Sequence, residues 1–296
     1  MDITWSVILC PQLFIATIGF AVYSYVLYVI LSSKSTTFSS AFFRIFVFTG
    51  FCNLITVVSV TYVHVESQVG LGPDFELLSR IMVAVAFTGF YTHVFGSLLL
   101  TVNRFIGICC PELHRVITRE AAIRWILFAD VAISFGITSL LYFTNLEYVY
   151  DNGWKTVRDD SFMVHRIICA SIVVAYELVS ISLISVTLYT LHRHAKKNNR
   201  RGHELGLIAL TAVSSLISAL EALYDISLAM HLQANGLLLW IQEQFDCIYT
   251  GMMTIHAYGI IIMSGTVRSE MLRRWRTKQT ATSTPVFVVK TTITRP

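Results

Sequence analysis

The chain has 296 residues, of which 55% are apolar and 14% charged, and its mean hydropathy is +0.64. Soluble domains carry about 25% charged residues, so this composition excludes an ordinary soluble protein and indicates a membrane bundle with short loops. The net charge of +4 does not indicate nucleic-acid binding, because the basic residues lie in short links between apolar runs.

Seven apolar segments follow one another along the chain, each close to the roughly 20 residues that a helix needs to cross the hydrocarbon core. The sequence therefore predicts an all-α membrane protein, a seven-transmembrane helix bundle. The predicted helices span 7–31, 45–65, 81–103, 125–146, 167–192, 205–230 and 240–267. The links are short, so residues 1–276 are predicted to form one transmembrane domain, followed by a flexible Thr/Ser-rich tail at 277–296.

The distribution of Lys and Arg predicts the orientation in the bilayer. With the N-terminus outside, only Arg80, Lys155, Arg158 and Arg166 lie on the outer side, and the other 18 basic residues lie inside. An excess of this size favours that orientation, because positively charged loops stay in the cytoplasm. We therefore expect a multi-pass protein of the cell membrane with a cytoplasmic C-terminus.

The third predicted helix ends in the segment Asn103-Arg104-Phe105, followed by Ile108 and Pro111. An Arg at the cytoplasmic end of a helix can be purely structural, because it reaches the lipid headgroups and suits the negative helix C-terminus. The spacing of the five residues, however, resembles Asp-Arg-Tyr-x-x-Ile-x-x-Pro of the rhodopsin-like G-protein-coupled receptors. The position in the chain matches as well.

The resemblance implies that Arg104 meets the C-terminal helix of a Gα subunit when the inner ends of helices five and six separate. It also implies that Ile108 and Pro111 shape the second inner loop against that subunit. Asn103 stands where the family has an acidic residue, and a neutral amide cannot form an ion pair with Arg104. Glu204, at the start of helix six, is a candidate replacement partner.

Other rhodopsin-like hallmarks are absent: helix six lacks Trp-x-Pro and helix seven lacks Asn-Pro-x-x-Tyr. Together with the Asn-Arg-Phe motif, the segments 40–46 and 263–268 resemble the nematode serpentine chemoreceptors, especially the gamma and v classes. This resemblance implies a chemosensory receptor in the plasma membrane. Such a receptor binds an extracellular small molecule or peptide and activates a heterotrimeric G protein.

Ionisable residues within the predicted helices are costly in hydrocarbon and by default indicate function. Glu221 and Asp225 share one face of helix six, and His93 lies roughly 16 Å above Arg104 at 1.5 Å per residue. Together with Asp246, they are predicted to line one outward-facing cavity, which would favour a cationic or hydrogen-bond-donating ligand. The candidate ligand-binding residues are His93, Glu177, Glu221, Asp225, Asp246, Tyr224 and Tyr249.

A structural role is the alternative for these acids. They would then bond neighbouring helices, or pair with Arg80 and Arg166 at the outer rim. Asp130 and His256 are interpreted as contacts between helices. Tyr and Trp near helix ends are also commonly interface anchors.

After the seventh helix, Met271, Leu272 and Trp275 share one helical face among several arginines. This pattern predicts a short amphipathic helix at 268–276 on the inner leaflet of the bilayer, and a basic flank without such a helix is the alternative. The resemblance implies that phosphorylated Thr and Ser residues of the tail would bind arrestin. A tail that is simply disordered is the alternative there.

An ion- or proton-coupled transporter or channel is the main competing function, because five intramembrane acids could carry protons. Against it, the helices show no repeated halves and no Pro-broken segments. An enzyme is not expected, since neither His-Glu-x-x-His nor Gly-x-Ser-x-Gly occurs. No motif indicates a metal or cofactor, and a retinal Schiff base is excluded because no Lys lies in any predicted helix.

Overall fold

The computed structural model describes residues 11–144, 146–150, 154–157, 160–194, 201–230 and 235–282. Within these ranges the chain forms ten α-helices and one two-stranded antiparallel ribbon. The helices are α1 Pro11–Ser32, α2 Ala41–Val69, α3 Glu76–Cys109, α4 Pro111–Ile117, α5 Glu120–Thr138, α6 Asp160–His194, α7 Arg201–Ala229, α8 Gly236–Glu243, α9 Phe245–Met263 and α10 Gly265–Thr282. The strands are β1 Glu147–Tyr150 and β2 Trp154–Val157.

Seven helical passes form the bundle: α1, α2, α3, α5, α6, α7 and the pair α8–α9. Within the described residues, six helices are long and apolar enough to cross a bilayer. Large apolar side chains such as Phe14, Phe128 and Leu178 are exposed on the outer surface of the bundle. A continuous apolar exterior of this kind suits contact with lipid rather than water.

The helices differ in length from the apolar segments that predicted them. α3 begins at Glu76 and continues past Arg104 to Cys109, because backbone hydrogen bonds persist where the side chains turn polar. The predicted helix at 125–146 instead ends at Thr138 and is followed by a 3-10 turn. Residues 7–10 of the first predicted helix lie outside the described part of the chain.

The seventh predicted helix, 240–267, is not continuous. α8 ends at Glu243, Gln244 leaves the regular helical geometry, and α9 then runs from Phe245 to Met263. After Ser264 the chain turns into α10, which is twice as long as the predicted helix at 268–276. The predicted flexible tail is therefore helical at 277–282, and its remainder, 283–296, lies outside the described residues.

A β-ribbon, which the sequence did not predict, covers the turn between α2 and α3. Gly70 ends α2 in the left-handed conformation with φ 65°, and Gly72 has φ 79°. A Cβ atom on Gly72 would come within 2.5 Å of the Trp154 ring. The ribbon thus packs on a turn that only glycines can form this closely.

Helices α2 and α3 approach each other closely. Cβ atoms added to Gly89 and Gly96 of α3 would overlap Thr56 and Thr49 of α2. The two glycines and the two threonines are each seven residues apart, as antiparallel neighbours in register require. Small residues let membrane helices approach this closely and gain van der Waals contact.

We predict that Gly89→Ala lowers the melting temperature of the detergent-solubilised chain, because overpacking a tight contact costs about 1–3 kcal/mol. Thr56→Gly in the same chain should recover most of the loss. Gly251→Ala is the matched control, since a Cβ there meets nothing within 4 Å. An unchanged melting temperature for Gly89→Ala would contradict the proposed packing.

Candidate functional site

A cavity of about 390 Å³ lies among α2, α3, α6, α7, α8 and α9, in the half of the bundle that the sequence predicts to face outward. Its volume falls within the range of small-molecule sites, about 300–1,000 Å³. The cavity is lined by Val60, Val63, His64, Ser67, Val83, Ala86, Phe87, Phe90, Arg166, Cys169, Glu221, Tyr224, Asp225, Gln242, Phe245, Asp246 and Tyr249. Five of the seven candidate ligand-binding residues therefore share one cavity.

One wall of the cavity holds an ion pair between α6 and α7. Arg166 Nη1 donates a hydrogen bond to Asp225 Oδ1 over 2.9 Å, and both side chains are buried. The guanidinium also lies 5.1 Å from the centre of the Tyr224 ring. A buried carboxylate needs such a partner, because an uncompensated charge away from water is costly. For Asp225, the sequence left open a structural role, in which it pairs with Arg166, and this pair is present in the structure.

The cavity lining also holds a second pair, between α2 and α9. His64 Nδ1 lies 2.6 Å from Asp246 Oδ2. Sequence reasoning placed Asp246 at this depth but did not single out His64. The sequence feature that could have identified His64 is its position as an ionisable residue in the last turn of the predicted helix 45–65, close to the predicted outer end of the bundle.

Glu221 also lines the cavity, one helical turn before Asp225 on α7. Its side chain is 2% exposed, and its Oε2 accepts no hydrogen bond from the described residues. Next to it, Tyr224 stacks on Phe245 with ring centres 3.7 Å apart. The hydroxyl of Tyr249 donates to the backbone oxygen of Ala86 over 2.8 Å. The cavity therefore combines a buried acid with aromatic walls.

His93 and Glu177 do not line this cavity. His93 lies one turn closer than Phe90 to the Arg104 end of α3, where its Nδ1 is 3.1 Å from Asn53 Oδ1. Glu177 is half-buried on α6, away from the lining residues. The prediction that His93 shares a cavity with Glu221, Asp225 and Asp246 is thus not matched by the geometry.

His93 instead belongs to a polar network that joins four helices in the centre of the bundle. Asn53 Nδ2 donates to the backbone oxygen of Met253 over 3.0 Å and to the hydroxyl of Tyr23 over 3.3 Å. The rings of His93 and His256 lie 5.1 Å apart. Buried polar groups are normally paired in this way, and along α3 the network lies between the cavity and Arg104.

At the predicted inner end, Arg104 lies with its guanidinium carbon 4.9 Å from the centre of the Phe42 ring, which belongs to the first turn of α2. Phe105 and Ile108 are half-buried on the last turns of α3. Asn103 borders a small crevice beneath α4. Pro111 is the first residue of α4, where a missing N–H costs nothing.

Glu204 lies in α7, but its side chain is outside the described residues, so the expected pairing with Arg104 stays a prediction. Arg104 does meet Phe42, a contact the sequence did not predict. The signal for it was the aromatic run at 40–46, which the resemblance had already pointed to. A cation over an aromatic ring is an attractive contact.

α10 folds back along the predicted inner end of α1. Arg274 Nη1 donates to Ser32 Oγ over 2.6 Å, and its guanidinium lies 5.3 Å from the centre of the Tyr28 ring. Glu270 accepts hydrogen bonds from Arg273 and Arg274, which hold the pKa of its carboxyl below the ordinary value. These contacts fix the direction in which α10 leaves the bundle.

The three residues predicted to share a membrane-facing side of this helix have different surroundings. Met271 packs against the apolar core around α1 and α2. Leu272 and Trp275 are 57% and 65% exposed. Only the last two therefore remain available for lipid.

Within the described residues, no group of three or more His, Cys, Asp or Glu side chains is arranged to hold a metal ion. The chemistry that the cavity offers is hydrogen bonding, charge pairing and aromatic contact. This combination suits binding of a small molecule.

Asn53→Ala should lower the melting temperature of the solubilised chain, because it removes hydrogen bonds that join α1, α2, α3 and α9. Bonds between membrane helices contribute about 0.6 kcal/mol each on average, so we expect a loss on the order of 1–2 kcal/mol. Ser182→Ala is the control, since Ser182 Oγ bonds only the Leu178 carbonyl of its own helix in the described structure. Equal melting of both variants would contradict a central role for the network.

Comparison with protein families gives a match to the model described as "Serpentine type 7TM GPCR chemoreceptor Srv" over residues 12–277. The match covers most of the chain, including every described membrane pass. It confirms the resemblance to serpentine chemoreceptors and, of the two classes suggested, points to the v class. No curated protein matches the chain.

Proposed function

The chain belongs to the Srv family of serpentine seven-transmembrane chemoreceptors, and from this premise we propose how it receives and passes on a signal. It is a multi-pass membrane protein of a chemoreceptor family, not of an enzyme family. In our proposal, the cavity binds an extracellular small molecule or peptide. The Arg104 end of the bundle then activates a heterotrimeric G protein.

The observation that carries the proposal is the placement of two sites on one helix. α3 lines the cavity through Val83, Phe87 and Phe90, and the same helix carries Arg104 about 14 residues further on. At 1.5 Å per residue this separation is roughly 20 Å. A rigid helix that contacts a ligand at one end and a partner protein at the other can transmit a shift caused by the ligand from the cavity to the Arg104 end.

The central polar network supports the same proposal. His93 and Asn53 lie between the cavity and Arg104, and they join α2 and α3 to α9. A ligand shifts a conformational equilibrium only if it binds one state more tightly than the other. The cavity walls come from six helices. A ligand that fits one spacing of these helices better than another therefore binds one conformation more tightly.

The tail is proposed to take part after activation. α10 carries basic residues beside the bundle and ends at Thr282, and the chain continues with further Ser and Thr residues. Phosphorylation there would add negative charge for binding of arrestin. Phosphorylated and unphosphorylated tail peptides can be compared directly for arrestin binding.

A proton- or ion-coupled transporter remains the second candidate, favoured by the buried acid Glu221 in an open cavity. Transport needs a continuous path through the bundle, whereas the residues of α3 that line the described cavity extend toward Arg104 only as far as Phe90. Whole-cell current or uptake measured without a G protein separates the two functions.

Arg104→Ala should abolish G-protein activation while leaving surface expression intact, because it removes the cation proposed to meet the Gα subunit. The measurement is a screen of small odorants and peptides on cells that express a promiscuous Gα. Arg115→Ala is the matched control, since Arg115 lies in α4 of the same link and its side chain is 79% exposed. Normal signalling by Arg104→Ala would count against the proposed coupling.

The proposed orientation follows from the excess of Lys and Arg on one side. An epitope tag inserted after Lys197 should be detected only after cells are permeabilised. A tag inserted after Asn152, between β1 and β2, should be detected on intact cells. The opposite labelling pattern would reverse the orientation and remove the proposed access of the G protein to Arg104.

A further inference from the structure

We propose that the ligand of this cavity is a small organic amine whose ammonium group pairs with the Glu221 carboxylate. The inference rests on the receptor function proposed above and names the ligand class of that same site.

Of the three acids that line the cavity, one has a carboxylate oxygen without a hydrogen-bond donor in the described residues. Arg166 is bonded to Asp225 over 2.9 Å, and His64 is bonded to Asp246 over 2.6 Å. Glu221 is 2% exposed, and its Oε2 accepts no hydrogen bond from the described residues. A buried acceptor without a donor is costly. A ligand N–H that reaches Glu221 Oε2 would supply the hydrogen bond that the described residues do not provide.

The lining of the cavity as a whole repels anions. Three carboxylates face one guanidinium and one imidazole there. A ligand carboxylate would have to take Arg166 from Asp225 and leave that acid unpaired, which is strongly unfavourable. A ligand ammonium meets an excess of negative charge without displacing either pair.

Aromatic side chains line the same cavity as Glu221. Tyr224 and Phe245 stack with an interplanar angle of 16°, and Phe90 stacks near Tyr249 with ring centres 6.2 Å apart. The faces of aromatic rings attract cations. Together with Val60 and Val83, these rings also form an apolar surface for the rest of the ligand.

The volume limits the size of the ligand. About 390 Å³ lies near the lower end of the range of small-molecule sites. The cavity therefore suits an amine with one ring or a short chain, rather than a long peptide. Charge and size together favour a monoamine with an apolar substituent.

The test uses the purified full chain in lipid nanodiscs and three probes of similar size: 2-phenylethylamine, 2-phenylethanol and 3-phenylpropionic acid. Binding is measured from the shift of the melting temperature with probe concentration. We expect the amine to bind at least about tenfold more tightly than the alcohol, as a charge-assisted hydrogen bond implies. The acid should bind most weakly.

Glu221→Gln keeps the shape of the side chain and removes its charge, so it should abolish the preference for the amine over the alcohol. Asp130→Asn is the matched control, because Asp130 is also a buried acid but does not line the cavity. It should leave the preference unchanged. If Glu221→Gln does not fold, Glu221→Asp replaces it, and there the affinity for the amine should fall while that for the alcohol stays constant.

Equal shifts for amine and alcohol on the wild-type chain, including no shift for either, would overturn the proposal. So would an amine preference that survives in Glu221→Gln. The receptor function fails in a different way: an amine that binds through Glu221 but never activates a G protein refutes signalling and not the ligand class. Activation of the G protein by neutral or acidic compounds, without any preference for the amine, would refute the ligand class and leave the receptor function standing.

Discussion

In hydrocarbon, a polar group that leaves water must find its partner inside the protein, and this constraint organises the whole bundle. Asn53 shows its effect, because one amide bonds to α1 through Tyr23, to α3 through His93 and to α9 through Met253. Burial of apolar side chains does not determine which helices pack together, since lipid tails are as apolar as Leu side chains. Hydrogen bonds and close contacts between small residues therefore determine which helices meet.

The same constraint gives the cavity its form. Arg166 joins α6 to α7, and His64 joins α2 to α9, so the two charged pairs hold together two separate units, α6–α7 and α2–α9. The stack of Tyr224 on Phe245 is the bridge between them. The proposed ligand would therefore occupy a cavity that both units line. The resemblance implies that α6 and α7 separate at their inner ends on activation, and these are the helices of one unit.

The sequence predicted the seven passes well, because hydropathy and the number of residues that a helix needs to cross the bilayer determine them. It predicted the rotation of the helices less well. Glu221 and Asp225 share a face by their spacing, so their convergence on one cavity followed. His93 was assigned to that cavity by depth alone. It lies on the same face of α3 as Gly89 and Gly96, which pack on α2, and this spacing directs it toward Asn53. The ribbon and the break at Gln244 had no periodic signal at all.

At the predicted inner end, Arg104 of α3 makes a contact with an aromatic ring of α2. With Asn103 in place of the family's acidic residue, Arg104 lacks an adjacent carboxylate in sequence, and its guanidinium lies over Phe42. A cation over an aromatic ring contributes about 0.5–1 kcal/mol at exposed sites and about 2 when desolvated. Breaking a buried ion pair costs about 3–5 kcal/mol. The Phe42 contact taken alone therefore holds Arg104 less firmly than a buried ion pair would.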